Sequence, residues 1–313
     1  MSSSPRRVVS PATPPLSLPG VRPLAGIFTV ILSSWALSGL DASGKWVMAA
    51  GVSLWVLCWV RYSVHLLLVL SLTLPIKGPG VLRSVGPGAQ VLRGSVMLLA
   101  TLCFFKTLSY LPQAEATAIN FLAPLLVLAL APWVLREPPR ISRWIAAGIG
   151  FSGVLIIIRP SAGLDPVGVA WGLGTALTFA AQFLATRRVA VDDPMTTLIW
   201  SGGIGTVVLS ATMPVLLPAA LTVLRTLEPL HWIVLIGTGV FGAAGHLLQI
   251  QAYRFAPASL LAPFLYLQIV AAATLGWLVW GHFPDFFSWV GIAVICGSGA
   301  GLTIWEWRRK KSG

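Results

Sequence analysis

The stretch LSYLPQAEATAIN (Leu108–Asn120) places a proline, a glutamate and an asparagine inside one of the most apolar regions of the chain. A segment of similar outline, YRFAPASLLAPFL, occurs again in the second half. When Pro112 is aligned with Pro257, an offset of 145 residues, the register continues without a gap until Trp144 meets Trp289. The chain therefore contains an internal repeat, and this repeat determines the predicted fold.

The composition places the chain in a lipid bilayer. Hydrophobic residues make up 56% of its 313 residues, charged residues only 10%, and the mean hydropathy is +0.85. A soluble globule of this size needs more polar surface. The net charge of +12 comes from basic residues that lie singly or in small clusters between apolar runs, which argues against nucleic-acid binding. The three cysteines lie within apolar runs at unrelated spacings, so we predict neither disulfides nor a metal site.

Ten apolar segments are long enough to be transmembrane helices, since a bilayer core about 30 Å thick is crossed by roughly 20 helical residues. The predicted spans are Leu24–Ser43, Leu54–Leu74, Gly94–Leu111, Glu115–Leu135, Ile141–Ile158, Val167–Ala185, Thr196–Leu217, Trp232–Ala252, Leu260–Trp280 and Phe286–Trp305. We expect the proline-rich residues 1–23 to form a disordered cytoplasmic tail and residues 306–313 to form a basic cytoplasmic tail. The predicted fold class is an all-α integral membrane protein.

The distribution of basic residues predicts how the spans are oriented. With the N-terminus in the cytoplasm, sixteen of the 21 lysines and arginines fall on the inside and four on the outside. Each repeat contains five spans, an odd number, so the second repeat enters the membrane from the opposite side. The predicted architecture is two inverted five-helix repeats, residues 24–160 and 161–305, around a central cavity, with both termini cytoplasmic. Inverted repeats can exchange conformations and open a central site to either face in turn.

Both copies of the repeat resemble a known domain. The first copy, LSYLPQAEATAINFLAPLLVLALAPWVLREPPRISRWIAAGIGFSGVLIIIRP, and the second, APFLYLQIVAAATLGWLVWGHFPDFFSWVGIAVICGSG, resemble the EamA-type domain of the drug/metabolite transporter superfamily. The resemblance implies ten helices in two EamA-like repeats and export of small organic solutes across the bacterial inner membrane. Within the superfamily the chain is most similar to exporters of aromatic amino acids. This chain has His282 where the second copy usually has an acid, which either alters closure or marks an interfacial position that tolerates change.

The sequence predicts a secondary transporter rather than a pump or an enzyme. It contains no GxxxxGK[ST] motif for nucleotide binding, and no HExxH motif, GxSxG motif or pair of central aspartates for catalysis. All nine acids map to span ends or loops, so we expect facilitated diffusion by alternating access, with proton coupling through a histidine as the alternative. A broad-specificity drug or organic-cation exporter and a channel-like protein are alternative functions. We expect no cofactor and, because ten helices can enclose a pathway, a monomer.

Polar and aromatic side chains within the spans are the candidate site, because intramembrane polar groups usually face a cavity or one another. The residues expected to contact substrate are Ser34, Trp35, Ser38, Asn120, Thr178, Gln182, His246, Gln249, Tyr266 and Gln268. For each of them, a hydrogen bond within the helix bundle or ordinary packing is the competing interpretation. Arg61 and His65, four residues apart on span two, and Glu115, in a first helical turn, are assigned gating or structural roles.

Overall fold

A computed structural model describes residues 22–134, 141–159, 163–256 and 258–312 of the protein. Within these ranges the regular structure is entirely helical, and a short 3₁₀ helix lies between α2 and α3. The α-helices are α1 (Pro23–Ala49), α2 (Leu54–Lys77), α3 (Pro87–Leu108), α4 (Gln113–Asn120), α5 (Leu122–Val134), α6 (Ile141–Ile157), α7 (Pro166–Arg188), α8 (Pro194–Thr226), α9 (Pro229–Phe255), α10 (Ala258–Leu265), α11 (Leu267–Trp280) and α12 (Phe286–Ser312). The predicted tail 1–23, apart from its last two residues, and the predicted boundary between the repeats at residues 160 and 161 lie outside the described residues.

Within the described residues the helices form ten passes, in agreement with the ten spans predicted from the sequence. Among the described helices, six are long and apolar enough to cross a membrane by length and composition: α1, α2, α3, α7, α8 and α9. The remaining passes contain shorter apolar segments in α6 and α12, and two passes are each built from a pair of helices, α4 with α5 and α10 with α11. The all-α membrane fold is therefore confirmed, and its departures from the prediction lie within individual spans.

Spans four and nine are broken, whereas the sequence predicts a continuous helix for each. The first break lies at Phe121, between α4 and α5, and the second at Tyr266, between α10 and α11. Pro124 explains the first break, because it has no N–H to donate to the carbonyl of Asn120 and its ring crowds that carbonyl. Ile269 stands at the corresponding place in span nine, so the second break does not have this cause.

The two breaks are related by the internal repeat. Phe121 and Tyr266 are 145 residues apart, the offset that aligns Pro112 with Pro257. Each break follows a helix of eight residues, α4 or α10, which places it about 12 Å from the end of its span at 1.5 Å per residue. The rings of Phe121 and Tyr266 meet with their centroids 5.0 Å apart. The two repeats therefore contact each other at the broken centre of the bundle.

Helix packing follows the same repeat. α1 lies against α9, and their repeat counterparts α7 and α3 lie against each other. A Cβ added to Gly26 of α1 would lie 2.7 Å from the Cβ of Ala256, and one added to Gly168 of α7 would lie 2.8 Å from the Cδ2 of Leu111. Neither glycine has room for a side chain. The two glycines therefore allow α1 and α7 to pack closely against the residues that follow α9 and α3, as small residues often do between membrane helices.

The two ends of the bundle carry different residues, and we name them by the orientation predicted from charge. The outer end is the one at which α1 ends at Ala49, α4 begins at Gln113 and α11 ends at Trp280. The inner end is the one at which α2 ends at Lys77 and α7 ends at Arg188. The predicted C-terminal tail, 306–313, continues from the inner end of α12, which runs as a helix to residue 312.

Two aspartates join separate segments at the inner end. Asp192, before α8, accepts hydrogen bonds from the hydroxyl of Ser84 and, at 2.8 Å, from the amide of Gln90. Asp193 pairs with Lys77, the last residue of α2. The hydrogen bond from Ser84 is the largest of the effects that hold the pKa of Asp192 below its usual range. The loops that precede α3 and α8 are thus tied together by ionised carboxylates.

Candidate functional site

The two broken spans pack together at the outer end and separate towards the inner end. α4, the outer half of span four, packs against α11, the outer half of span nine. The inner halves, α5 and α10, do not form a packed pair within the described residues. Instead, α10 lies against α1 and α12, and α5 lies against α6 and α7. The broken spans of the two repeats are therefore closed against each other at the outer end only.

Polar side chains bridge the helices at the outer end. The amide of Gln113 on α4 donates a hydrogen bond of 2.9 Å to the carbonyl of Ser38 on α1. The hydroxyl of Ser38 in turn donates to the backbone carbonyl of Gln268 on α11, at 3.1 Å. Since α1 belongs to the first repeat and α11 to the second, Ser38 links the repeats. Ser38 and Gln268, both predicted to contact substrate, are brought together in this closure.

Two further contacts between the repeats lie nearer the outer surface. The ammonium of Lys45 on α1 donates to the carbonyl of Leu111 at 2.6 Å and lies 5.3 Å from the ring centroid of Trp280 on α11. Glu115 on α4, assigned a gating or structural role, is only 6% exposed and lies within hydrogen-bonding reach of the Ser288 hydroxyl on α12. These contacts, with those of Ser38 and Gln113, form what we call the outer seal.

An ion pair spans the repeats at the outer surface itself. Arg159, which follows α6, pairs with Asp285, which precedes α12. Asp285 also accepts a hydrogen bond of 2.7 Å from the backbone N–H of Ser288. This backbone hydrogen bond, followed by the contacts with the Ser288 hydroxyl and with Arg159, holds the pKa of Asp285 below its usual range. The carboxylate is therefore ionised at neutral pH and available for the pair.

A cavity of about 320 Å³ opens at the inner end among α3, α7, α8 and α9, and we call it the inner cavity. Its lining residues are Arg93, Thr186, Val189, Ala190, Asp192, Pro194, Thr197, Leu198, His246, Gln249 and Ile250. The volume falls within the range of about 300–1,000 Å³ that is typical of small-molecule sites. Of the residues predicted to contact substrate, His246 and Gln249 are brought together here.

Arg93 supplies a buried positive charge to the wall of the inner cavity. Its side chain is 6% exposed, its Nε donates to the hydroxyl of Thr186 at 3.0 Å, and its Nη1 donates to the hydroxyl of Ser201. Gln182, which was predicted to contact substrate, donates to the same Thr186 hydroxyl at 3.1 Å. Gln182 is thus connected to the cavity wall through Thr186 rather than being part of the lining.

The sequence interpretation missed Arg93 because it began span three at Gly94. In the structure α3 begins at Pro87, nearly two turns earlier, so Arg93 lies inside the helix instead of in the preceding loop. The proline was the available signal, because proline is favoured at the first position of a helix. Arg93, which the sequence analysis placed in a basic inner loop, is therefore buried within the helix bundle.

Two histidines meet beside the inner cavity. The rings of His65 and His246 are arranged edge to face, with their centroids 6.0 Å apart. His65 is hydrogen bonded to the backbone carbonyl of Leu198. The Nε2 atom of His246, by contrast, is buried and has no hydrogen-bond partner among the residues that the structure describes. An unpartnered ring nitrogen in the lining of a cavity is available to a ligand.

Arg61 lies one helical turn from His65, towards the outer end. Its Nη1 donates to the hydroxyl of Thr101 at 3.1 Å, and its guanidinium carbon lies 5.0 Å from the ring centroid of Tyr62 and 5.8 Å from that of Phe105. The side chain is 7% exposed, so it does not extend to the membrane surface. Arg61 is instead held inside the bundle by a hydroxyl and by two aromatic rings.

Asp41 also lies inside the bundle, and the prediction that all nine acids map to span ends or loops is wrong for this residue. Predicted span one ends at Ser43, but α1 continues to Ala49, so about two helical turns separate Asp41 from the helix end. The side chain is 5% exposed, lies within hydrogen-bonding reach of the Gln268 side chain and has Arg61 as an opposing charge. Its Oδ2 atom has no hydrogen-bond partner among the described residues.

Three of the residues predicted to contact substrate are not part of these clusters. The hydroxyls of Ser34 and Thr178 donate to carbonyls of their own helices, at Val30 (3.0 Å) and Gly174 (2.9 Å) respectively. Trp35 is 41% exposed, on a face of α1 that carries other exposed apolar side chains. For Ser34 and Thr178, the observed bonds agree with the competing interpretation, in which the hydroxyl bonds to the backbone of its own helix and does not contact substrate.

Asn120 and Tyr266, the remaining predicted contacts, lie at the broken centre of the bundle. The Oδ1 atom of Asn120 is buried and has no hydrogen-bond partner within the described ranges. The hydroxyl of Tyr266 lies so close to Gly299 of α12 that a Cβ at that glycine would collide with it. The Tyr266 ring thus lies between α12 and Phe121, at the second break.

Comparison with known proteins covers nearly the whole helical region. The sequence profile of the EamA-like transporter family matches residues 24–159 and, a second time, residues 166–304. An S-adenosylmethionine uptake transporter of Rickettsia bellii is 27% identical to this chain over 70% of this chain and 73% of its own length. A riboflavin transporter of Vibrio cholerae is 24% identical over 92% of this chain and 96% of its own length. One solved crystal structure matches 91% of this chain and 97% of its own with a TM-score of 0.62 at 20% identity, which shows the fold alone.

Proposed function

The chain belongs to the EamA-like transporter family, and we propose that it exports aromatic or hydrophobic amino acids and related small organic solutes from the cytoplasm by alternating access. The observation that carries this proposal is the inner cavity, which reaches buried polar groups while the outer end is closed by contacts between the repeats. A carrier in this conformation receives its solute from the inner side. The direction of net transport would follow the concentration gradient of the solute.

The chemistry of the solute is supported by the relatives and by the lining of the cavity. Riboflavin and S-adenosylmethionine, named for the two relatives, both contain fused aromatic rings, and S-adenosylmethionine also has an amino-acid group. An aromatic amino acid combines the same two features. The inner cavity offers apolar surface at Leu198 and Ile250 beside the polar Gln249. Such a lining suits a solute with an apolar body and a polar head group.

Alternating access would exchange the conformations of the two repeats. α4 and α11 would separate at the outer end, which breaks the chain of hydrogen bonds through Gln113, Ser38 and Gln268, and α5 and α10 would approach each other at the inner end. The breaks at Phe121 and Tyr266 allow each half-span to move without its other half. Facilitated diffusion needs no further group. If transport is coupled to protons instead, the buried carboxylate of Asp41 could carry the proton, a role that the sequence analysis gave to a histidine.

The same proposal includes the arrangement of the chain in the membrane. Residues 24–160 and 161–305 would be the two inverted repeats, with residues 1–23 and 306–313 as cytoplasmic tails and a monomer as the transporting unit. Labelling of single cysteines placed in each tail with a membrane-impermeant maleimide tests the arrangement. Both tails should react only after the membrane is opened. A tail that reacts from outside in intact cells would contradict the inverted arrangement.

Counterflow into proteoliposomes is the direct test of the transport function. Purified protein should accumulate labelled L-tryptophan or L-phenylalanine when the vesicles contain the unlabelled amino acid, with saturable initial rates. The same vesicles should be tested with riboflavin, S-adenosylmethionine and tetraphenylphosphonium, with and without a pH gradient. Accumulation of the organic cation alone would favour the drug-exporter alternative. Flux that neither saturates nor shows counterflow would favour a channel and overturn the carrier mechanism.

A further inference from the structure

The inner cavity carries a positive charge without a charged partner. The described hydrogen bonds of the Arg93 guanidinium go to the hydroxyls of Thr186 and Ser201 and, at 3.9 Å, to the sulfur of Met97. All three groups are neutral, and within the described part of the chain Arg93 takes part in neither of the ion pairs found. A buried charge costs free energy unless it is paired. This geometry therefore favours a mobile anion beside Arg93.

The acid in the lining of the cavity does not supply that partner. Asp192 lies at the inner mouth, where its Oδ1 accepts a hydrogen bond of 2.8 Å from the backbone N–H of Val85. Its Oδ2 accepts hydrogen bonds from Ser84 and, at 2.8 Å, from Gln90. Both carboxylate oxygens are thus occupied by the loop before α3. The charge of Arg93 is left to whatever enters the cavity.

His246 provides a second donor in the lining, from another helix. It belongs to α9, whereas Arg93 belongs to α3, and both line the inner cavity. The edge-to-face contact with His65 holds the His246 ring in place, and its Nε2 has no partner among the described residues. Either nitrogen of a neutral imidazole can carry the proton, so Nε2 can donate a hydrogen bond to an oxygen atom.

We propose that Arg93 and His246 form a carboxylate-binding subsite in the inner cavity. The inference rests on the proposed function and deepens it, because it assigns recognition of the solute's carboxylate to two residues. A guanidinium presents parallel N–H donors that match the two oxygens of a carboxylate. The apolar body of the solute lies against Leu198 and Ile250. The subsite therefore favours organic acids and amino acids over amines and neutral amides of the same shape.

The test compares benzoate, a minimal aromatic carboxylate, with benzamide, a neutral molecule of nearly the same shape. The full-length chain carries Ile250→Cys in the cavity lining, and the rate at which N-ethylmaleimide alkylates this cysteine reports whether the cavity is occupied. The chain with its three native cysteines alone gives the background rate. Benzoate should protect the cysteine at a concentration about tenfold lower than benzamide, because hydrogen bonds to charged groups are the stronger ones. Equal protection by the two probes would overturn the subsite.

Variants assign the preference to its residues. Arg93→Gln should remove the preference for benzoate, Arg93→Lys should keep only part of it, and His246→Gln should weaken it. Arg188→Gln is the matched control, because Arg188 is exposed in the last turn of α7 at the same end of the bundle. A preference that survives Arg93→Gln in a folded, monodisperse protein would reject the role of this residue. If Arg93→Gln does not fold, the comparison of benzoate with benzamide on the Ile250→Cys protein that retains Arg93 still tests the subsite.

The subsite and the transport function fail separately in these experiments. Counterflow of tryptophan without a preference for benzoate would support the transport function and reject the subsite. A preference for benzoate without counterflow of any solute in the panel would support the subsite and reject the transport function. Alkylation measures occupancy of the cavity and does not require the protein to complete a transport cycle.

Discussion

The outer and inner ends of the interface between the repeats have equivalent helices but different side chains. At the outer end, Ser38, Gln113 and Lys45 each donate a hydrogen bond to another part of the bundle. The offsets of the repeat place these residues at the corresponding inner positions: Ala180, Ala258 and Arg187. An alanine side chain has no donor or acceptor. Among the described residues, the alanines that correspond to Ser38 and Gln113 therefore cannot repeat at the inner end the hydrogen bonds that these two residues donate at the outer end.

For the proposed alternating-access cycle, this difference means that the two conformations of a symmetric fold need not be equal in free energy. A buried hydrogen bond contributes about 0.5–1.5 kcal/mol net. In the proposed cycle, the two bonds through Ser38 would favour the outer-closed conformation by about 1–3 kcal/mol, a population ratio of roughly fivefold to 150-fold. The observed conformation, with the inner cavity open, is consistent with this difference, because Ser38 and Gln113 of the outer seal are replaced by alanines in the other copy of the repeat.

Removal of Arg61 should lower stability and transport more than any other variant, because Arg61 lies in the buried layer beneath the outer seal. Arg61→Ala removes the hydrogen bond to Thr101 and the contacts with two aromatic rings, and it removes the positive charge nearest the buried Asp41. The lost contacts cost about 3–5 kcal/mol. We expect a large fall in the melting temperature of the purified protein and loss of tryptophan counterflow. Arg225→Ala is the matched control, since Arg225 is exposed near the outer end of α8.

A double variant identifies the cause of that loss. If the unpaired carboxylate is responsible, combining Arg61→Met with Asp41→Asn should recover a substantial part of the melting temperature, because it removes both charges together. Thermal melting in the same detergent provides the comparison. A double variant that is as unstable as Arg61→Ala would show that Arg61 stabilises the bundle through Thr101 and the aromatic rings rather than through Asp41.

Gly299→Ala should have the next largest effect, at the broken centre where the two ends of the interface meet. A Cβ at Gly299 would collide with the hydroxyl of Tyr266, and overpacking of this kind costs about 1–3 kcal/mol. We expect a lower melting temperature and a several-fold slower initial rate of counterflow. Gly297→Ala and Gly301→Ala are matched controls on the same helix, because a Cβ at either position would meet open space. Equal behaviour of all three variants would contradict the role of the Tyr266 contact.

Gln113→Ala gives the outer end the alanine that stands at the corresponding inner position, Ala258. Its effect should be smaller than that of Gly299→Ala. It removes one hydrogen bond of the outer seal, a loss of about 1 kcal/mol that corresponds to roughly a fivefold shift in population. A cysteine at Thr117, one turn deeper on α4 and 1% exposed, should react correspondingly faster with an impermeant reagent added from the outer side.

Ser109→Ala controls for the loss of a polar group at the outer end. Its hydroxyl is exposed and donates only within its own turn, to the carbonyl of Lys106 at 2.7 Å. The reaction rate of the cysteine at Thr117 should not change in this variant. If Gln113→Ala also leaves that rate unchanged, the hydrogen bonds through Ser38 do not hold the outer end closed, and another cause of the asymmetry between the two ends is needed.

Asp285→Asn should have the smallest effect, because the Asp285 side chain is 52% exposed and ion pairs at the surface contribute about 0–1 kcal/mol. The folded protein lowers the pKa of Asp285, so the carboxylate stabilises the protein at pH values above its unfolded pKa of about 3.9. This contribution is lost as the pH falls through the lower, folded value. The difference in melting temperature between the wild type and Asp285→Asn should therefore stay constant from about pH 6 to 8. A difference that changes within that interval would indicate another titrating group.

The spans and the repeat could be predicted from the sequence because both depend on local composition. A bilayer requires about 20 apolar residues in each helix, and the match of Pro112 with Pro257 is visible without any structure. The ends of the spans were less predictable. α1 continues past Ser43 to Ala49, and α3 begins at Pro87 rather than at Gly94. Hydropathy marks where lipid contact ends, whereas the helices themselves continue beyond it.

The candidate site was only partly predictable. His246 and Gln249 were recognised because polar residues within spans are rare. Arg93 and Asp41 were missed because both were assigned to loops or span ends, and the charge at each position was taken to be solvated. Their burial depends on how far α3 and α1 extend and on which helices cover them, and neither property is encoded in the neighbouring residues alone.

The sequence by itself determined that this protein is a helical membrane protein with ten passes and two related halves, because the hydrophobic effect acts on composition and length within each segment. Only the tertiary structure decided which polar groups meet. Hydrogen bonds act over about 3 Å, so the link from Gln113 through Ser38 to Gln268, and the position of Arg93 beside His246, depend on how distant helices are packed. That packing closes one end of the interface and leaves a charged cavity at the other.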